Sequence, residues 1–116
     1  MREPFQVLAV PYRFIENEWC FCVFRRADSD IWQFIAGGGE SNEKPMDSAL
    51  REIKEETGVT AKQLTALQSV AFVPAEVVAE NLRAHWNKNI FVIPEYSFAF
   101  ECTADPTLSR EHSEYK

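Results

Sequence analysis

Nowhere in the 116 residues does an apolar run approach the ~20 residues of a bilayer-spanning helix, which argues against a helical membrane protein. The opening MREPFQVLAVPYRF has no small-residue cleavage site and is interrupted by Pro11, so it reads as a strand and not as a secretory leader. Only three cysteines are present, Cys20, Cys22 and Cys102. An odd number in apolar, strand-like surroundings argues against a disulfide framework and for reduced thiols in the cytoplasm. Cys20 and Cys22 without further Cys or His nearby make a poor zinc site. Basic residues are also scarce, with 12 Lys and Arg against 18 Asp and Glu. The net charge of -6 leaves no broad basic surface to hold a nucleic-acid polymer, while a small metal-bound nucleotide stays compatible. Internal repeats and low-complexity tracts are absent, which removes solenoid and linker readings. A chain of this length builds one core, and the expectation is a single domain over residues 1–116.

Glycine is rare too, yet three of the four glycines are consecutive, Gly37 to Gly39, and the fourth is Gly58. Between them Pro45 is suited to a first helical turn, and Gly58 to a left-handed C′ position, so a helix is expected over about 45–57. At about 100° per residue Met46, Ala49, Leu50, Ile53 and Thr57 share one face, the expected buried stripe. Glu52, Glu55 and Glu56 fall on an adjoining arc within one turn of each other. One reading is a solvated acidic surface, since like charges four apart cost only a few tenths of a kcal/mol. The other is a divalent-cation site, because hard Mg²⁺ or Mn²⁺ takes oxygen ligands and engages a few carboxylates together with substrate phosphates. The glycine run favours the second: it permits positive φ and close backbone approach, so a group near Gly37 is placed to join a metal shell or touch a phosphate.

Along the rest of the chain, residues 5–14 and 19–25 read as a hairpin turning at Glu16, Asn17 and Glu18. A short apolar piece, IWQFIA, leads into the glycines. Residues 64–73 read as a strand, 75–86 are ambiguous, and 90–102 read as a strand whose Pro94 belongs at an edge or bulge. Strands flanking a helix predict an α/β fold with a mixed sheet.

The spacing Gly37-x5-Glu43-x7-Arg51-Glu52-Ile53-x-Glu55-Glu56-x-Gly58-Val59 resembles the motif of the Nudix hydrolases at every defined position. The resemblance implies an α/β/α sandwich with a mixed central sheet and a loop-helix catalytic motif over 37–59. It also implies a pyrophosphohydrolase that uses Mg²⁺ or Mn²⁺ on a small phosphorylated, nucleotide-like substrate, with no nucleic-acid polymer or membrane as partner. By the same resemblance Glu52, Glu55 and Glu56 correspond to metal-binding carboxylates and Arg51 to their neighbour in the catalytic motif, orienting one of them. Gly37 contributes to the metal shell, Ala36, Gly37 and Gly38 meet the substrate, and Glu43 anchors the loop to the helix. Which glutamate is the general base stays open, as does a homodimer.

Glu111, in the segment Glu111-His112-Ser113-Glu114-Tyr115, resembles a late metal ligand of members acting on dihydroneopterin triphosphate and dATP. Arg25 resembles a phosphate-contacting arginine of that subgroup. The chain departs from the subgroup at Ala36, where a hydroxyl residue can occur, and at Lys44, where an N-capping Ser or Thr is usual. Members commonly finish with a helix, so here a truncated or very short last element is expected. Trp32, Trp86, Phe72 and Phe91 are core residues or platforms for a base. The expected reaction splits the diphosphate of a nucleoside or pterin triphosphate. The alternatives are a dinucleoside polyphosphate or nucleotide-sugar hydrolase, and a non-catalytic nucleotide sensor.

Overall fold

The computed structural model describes residues 1–28 and 30–102, and the backbone of 112–115. The first strand, β1 (Gln6–Ile15), alternates its burial along most of its length, with Val7, Ala9 and Pro11 turned inward. That is the period of a half-buried strand. It turns at Glu16 and Asn17, both at positive φ (50° and 66°), as a tight two-residue hairpin requires. The return strand is shorter than the sequence implies: β2 (Glu18–Phe21) ends before Cys22, and β3 (Phe24–Arg26) belongs to a different sheet.

After β4 (Trp32–Gln33), β5 (Ile35–Gly38) leads to helix α1 (Pro45–Thr57). Strands β6 (Thr65–Pro74) and β7 (Val92–Glu101) follow, separated by a 3-10 turn (Ala75–Val77) and the single-turn helix α2 (Glu80–Arg83). The last described strand is β8 (His112–Tyr115). Thus 75–86, ambiguous in sequence, is two short helical turns. The expected short C-terminal element is, over 112–115, a strand.

The main sheet runs β2-β1-β7-β6, with β5 also on β1; the small sheet runs β4-β3-β8. β7 is parallel to β1 and every other pairing is antiparallel, so the sheet is mixed as expected. Since β7 occupies one flank of β1 from Gln6 to Tyr12, β2 and β5 share the opposite flank, β2 at Tyr12 to Ile15 and β5 at Gln6 to Ala9. Pro94 is not at a bulge, since the irregularity lies between Ala66 and Val70; it pairs with Phe72 in the β6–β7 ladder and has a local edge on its other flank, as expected. Its tolerance has a local cause. The ladder to β1 begins only at Glu95, so at Pro94 strand β7 has a neighbour on one side.

Helix α1 lies on one face of this sheet. Ile53 packs with Ala9, Phe24, Ile35, Phe100 and Cys102, while Ala49 packs with Val7 and Phe98. Burying Ile53 completely contributes about 1.5–3 kcal/mol. The expected stripe needs correction: Met46 and Leu50 are 41% and 38% exposed, and the buried positions are Ser48, Ala49, Glu52, Ile53, Glu56 and Thr57. The helix is rolled so that two glutamates, not two large apolar side chains, face inward. Asp47 accepts from the Lys44 backbone N–H (3.2 Å), so a residue inside the first turn ties down the end where Lys44 offers no acceptor of its own. At the other end Gly58 takes the left-handed conformation (φ 74°) and its N–H reaches the Lys54 carbonyl at 2.9 Å. Lys54 also sits in the last turn, where a cation complements the helix dipole.

The cysteines form no disulfide. Among the described residues no helix is long and apolar enough to cross a membrane.

Candidate functional site

The loop from Gly39 to Lys44 is fastened to α1 chiefly by Arg51, with Ser48 and Asp47 adding one bond each. Arg51 donates from Nε to Glu43 Oε2 (2.8 Å) and from Nη2 to Glu43 Oε1 (3.0 Å), a two-pronged contact that suits the planar guanidinium. Nη2 also reaches the Gly38 carbonyl (2.8 Å), and Nη1 reaches Glu52 Oε1 (2.9 Å) and Glu55 Oε2 (3.3 Å). Glu43 accepts in addition from Ser48 Oγ (2.8 Å) and from the Glu40 backbone N–H (2.9 Å). Hydrogen bonding from Arg51 above all holds the Glu43 carboxyl at about 2, well below its usual value, and raises the pKa of Arg51 in turn. At this centre Arg51 joins strand β5, the loop and three glutamates.

The glycines serve by their lack of a side chain. None of Gly37, Gly38 and Gly39 has positive φ, contrary to one part of the sequence expectation. A Cβ at Gly37 would fall on the Glu52 carboxylate, at Gly38 on the Arg2 guanidinium, and at Gly39 on the Phe5 ring. Close approach, not left-handed backbone, is what this triplet provides.

The three motif carboxylates are not equivalent. Glu52 and Glu56, four apart on one helix face, are 9% and 2% exposed, while Glu55 is turned outward. Among the described residues no three His, Cys, Asp or Glu side chains converge as a ready-made metal shell. Two inward carboxylates on one face nevertheless fit Mg²⁺ or Mn²⁺, which use one or two carboxylates and leave the remaining positions to water and substrate phosphates. Glu111 lies outside the described residues.

Beside the glycines opens a cavity of about 430 Å³, a size suited to a small molecule. Ala36, Gly37 and Gly38, all expected near the substrate, line it. Arg25 does not. It pairs with Asp30, and the neighbouring Arg26 lines the cavity instead, next to a register shift between the two in the β3–β8 pairing. Trp32, Trp86, Phe72 and Phe91 are not part of its wall. Trp86 packs beside Ala75, Val78 and Ile93, and Phe72 and Phe91 are exposed.

Besides Arg26, the polar wall residues Arg2, Gln6, Gln33 and Glu95 escaped the sequence reading. Arg2 is brought there by the N-terminal stretch, whose Glu3 N–H bonds the Gly39 carbonyl (2.9 Å) while Gly39 N–H bonds Phe5 (3.2 Å). Its own carbonyl is held by Trp86 Nε1 (2.8 Å) and His85 Nε2 (2.7 Å). Burial lowers the Arg2 pKa, against the attraction of Glu40 and Glu52. The available signal was a polar or charged residue inside an otherwise apolar strand, as at Gln6 and Glu95.

A model of the NUDIX domain matches residues 6–116. The chain is 33% identical over 78 residues to a dihydroneopterin triphosphate diphosphatase of Escherichia coli K12, covering 66% of this chain and 51% of that protein. It is 44% identical over 43 residues to an RNA pyrophosphohydrolase of Halorhodospira halophila, covering 37% of this chain and 24% of that protein. The matched stretches thus span about a quarter to a half of these relatives' lengths. A crystal structure from Listeria monocytogenes, described as a NUDIX hydrolase, superposes with a TM-score of 0.78 at 39% identity, covering 98% of this chain and 76% of that one.

Proposed function

Because the chain belongs to the Nudix family, we propose that residues 1–116 act as one domain hydrolysing the diphosphate linkage of a nucleoside or dihydroneopterin triphosphate, giving the monophosphate and pyrophosphate. The observation that carries this reading is the seating of the buried Glu52 carboxylate directly against Gly37, in a glycine strand that walls a small-molecule cavity, with the buried Glu56 one turn further along α1. Nudix hydrolases generally use divalent cations, and here Mg²⁺ or Mn²⁺ would be held by Glu52 and Glu56, with Glu55 and a backbone group of Gly37 within the same motif. When bound, the cation neutralises phosphate charge and lowers the pKa of attacking water.

The chain's own residues supply the rest. Arg51 fixes the Glu52 carboxylate and the Gly38 carbonyl in one frame, so the site needs little reorganisation during reaction. Ala36, Gly37 and Gly38 line the cavity, and the space a Cβ would take at Gly37 and Gly38 is given to the Glu52 carboxylate and the Arg2 guanidinium, which brings both groups against this strand. Arg2 and Arg26 add positive charge to the wall.

The relatives named RNA pyrophosphohydrolase favour a second reading, a triphosphate at an RNA 5′ end. The net charge of -6 weighs against a long polyanion and for a free nucleotide. The deciding assay is pyrophosphate release with Mg²⁺ from nucleoside triphosphates, dihydroneopterin triphosphate, ADP-ribose, diadenosine tetraphosphate and a 5′-triphosphorylated RNA, with Glu56→Gln as control. Release from a free triphosphate that the substitution abolishes supports the proposal; silence on every free triphosphate refutes it.

A further inference from the structure

Opposite the glycine strand, the cavity ends in a pair of side chains from two different strands. Gln6 on β1 and Glu95 on β7 are direct partners across the parallel ladder, and Gln6 Nε2 donates to Glu95 Oε2 at 2.6 Å. Both are only partly buried, and both line the cavity. An ionised carboxylate accepts and never donates, so Glu95 fixed in this way offers acceptor positions and nothing else. A ligand edge that satisfies it must bring N–H donors, and two adjacent parallel donors satisfy it best.

The register sets the distance. Gln6 also faces Gly38 across the antiparallel β1–β5 ladder, so Glu95, Gln6 and Gly38 form one row over three strands. At ~4.8 Å between strands, this row is ~10 Å long. It connects the glycine and Arg51 centre at one end to an acceptor carboxylate at the other, which suits a ligand with phosphates at one end and a heterocycle at the other. Val77 and Leu82 stand over the cavity as exposed apolar side chains able to cover a ring.

We infer that Glu95, held by Gln6, reads the edge shared by guanine and pterin, a ring N–H between an oxo group and the 2-amino group, and so selects triphosphates of these heterocycles over those of adenine. That edge presents a ring N–H beside an exocyclic amine, two donors for two carboxylate oxygens. Adenine presents one donor next to a ring-nitrogen lone pair, which faces the carboxylate unfavourably. A site built around a polar partner discriminates strongly because a mismatched ligand leaves buried groups unsatisfied.

The inference rests on the triphosphate-hydrolase reading, and the experiment separates the two. Turnover of GTP, dihydroneopterin triphosphate and ATP is measured with Mg²⁺ for the parent, Glu95→Gln and Glu95→Asp, alongside equilibrium binding of GMP and AMP. The expected result is a kcat/KM at least ~10-fold higher for GTP or dihydroneopterin triphosphate than for ATP, the better of the two identifying which source of the edge the cavity takes. Glu95→Gln should lower that value ~10-fold or more, chiefly through KM, raise ATP turnover by giving the adenine ring nitrogen a donor, and remove the preference for GMP over AMP. Partial recovery in Glu95→Asp would support a role for the charge itself.

A parent that handles ATP as well as the other two, or a Glu95→Gln protein slowed equally on all three, overturns the inference and leaves Glu95 a strand-pairing residue. If no triphosphate is cleaved while GMP still binds more tightly than AMP in a Glu95-dependent way, the hydrolase reading fails and the recognition stands. Should the substitutions unfold the protein, the parent's own preference and its GMP-to-AMP ratio still decide.

Discussion

Arg51 and Glu43 meet through two parallel hydrogen bonds, Nε to Oε2 at 2.8 Å and Nη2 to Oε1 at 3.0 Å, eight residues apart along the chain. The contact closes the segment between the glycine strand and the helix into a fixed unit. Nη2 also draws the Gly38 carbonyl into the same frame, and Nη1 draws in Glu52.

Arg51→Lys keeps the charge and loses the fork. A single ammonium cannot serve Glu43 twice and still reach the strand carbonyl and Glu52, so about 1.5–3 kcal/mol of stability should be lost, readable as a lower urea midpoint with an unchanged slope. Stability equal to the parent's would show that the fork has no structural role.

Acid should weaken the same pair. The Glu43 carboxyl sits at about 2 in the folded protein against 4.5 as its reference value, so its contribution is fully present above 4.5 and is lost as pH falls toward 2. Melting temperature should therefore drop between pH 4.5 and 2, and in Glu43→Gln that part of the drop should vanish from a lower starting stability. An identical acid profile in the two proteins would contradict the assignment.

Glu56→Gln preserves shape and removes a charge from a position 2% exposed. Stability without metal should be unchanged or raised, because burial opposes the charged form. Turnover should fall by ~100-fold or more, beyond the ~10–100-fold typical of groups that merely support a metal ligand. For the parent, Mg²⁺ at 100 times its dissociation constant should add about 2.7 kcal/mol of stability, seen as a rise in Tm that the variant largely lacks. An undiminished rise in the variant would remove Glu56 from the cation site.

Gly37→Ala places a methyl group where the Glu52 carboxylate now lies. Glu52 is the end of a flexible side chain, so the fold should survive with a small drop in Tm while the displaced carboxylate costs most of the turnover. Full activity in this variant would mean that the position of Glu52 against β5 is unimportant.

Much of this arrangement was legible because short-range chemistry writes it. Pro45 and Gly58 mark both ends of α1, and the motif spacing identified the fold family. The roll of the helix was not legible. Met46 and Leu50 outweigh Glu52 and Glu56 on any hydropathy scale, and only the space above Gly37 shows why a glutamate turns inward. The place of Arg26 in the cavity wall was not legible either, because the chain leaves the first sheet after Phe21 and enters a different one at Phe24. Glu95 stands 89 residues from Gln6, and no local pattern joins it to Gln6 and Arg2.

The parallel alignment of β1 with β7 has a bearing on how the protein comes to exist. Gln6 and Glu95, partners in that ladder, are separated by 89 residues, whereas the Arg51 centre is assembled largely from neighbours within thirteen. Closing so long a loop is entropically late, because non-local pairings become favourable only after intervening chain has been ordered. A fragment ending at residue 90 should show helical circular dichroism without binding GMP. During synthesis, then, the fastened loop and helix have most of their partners early, but the compartment they serve has no far wall until β7 has left the ribosome.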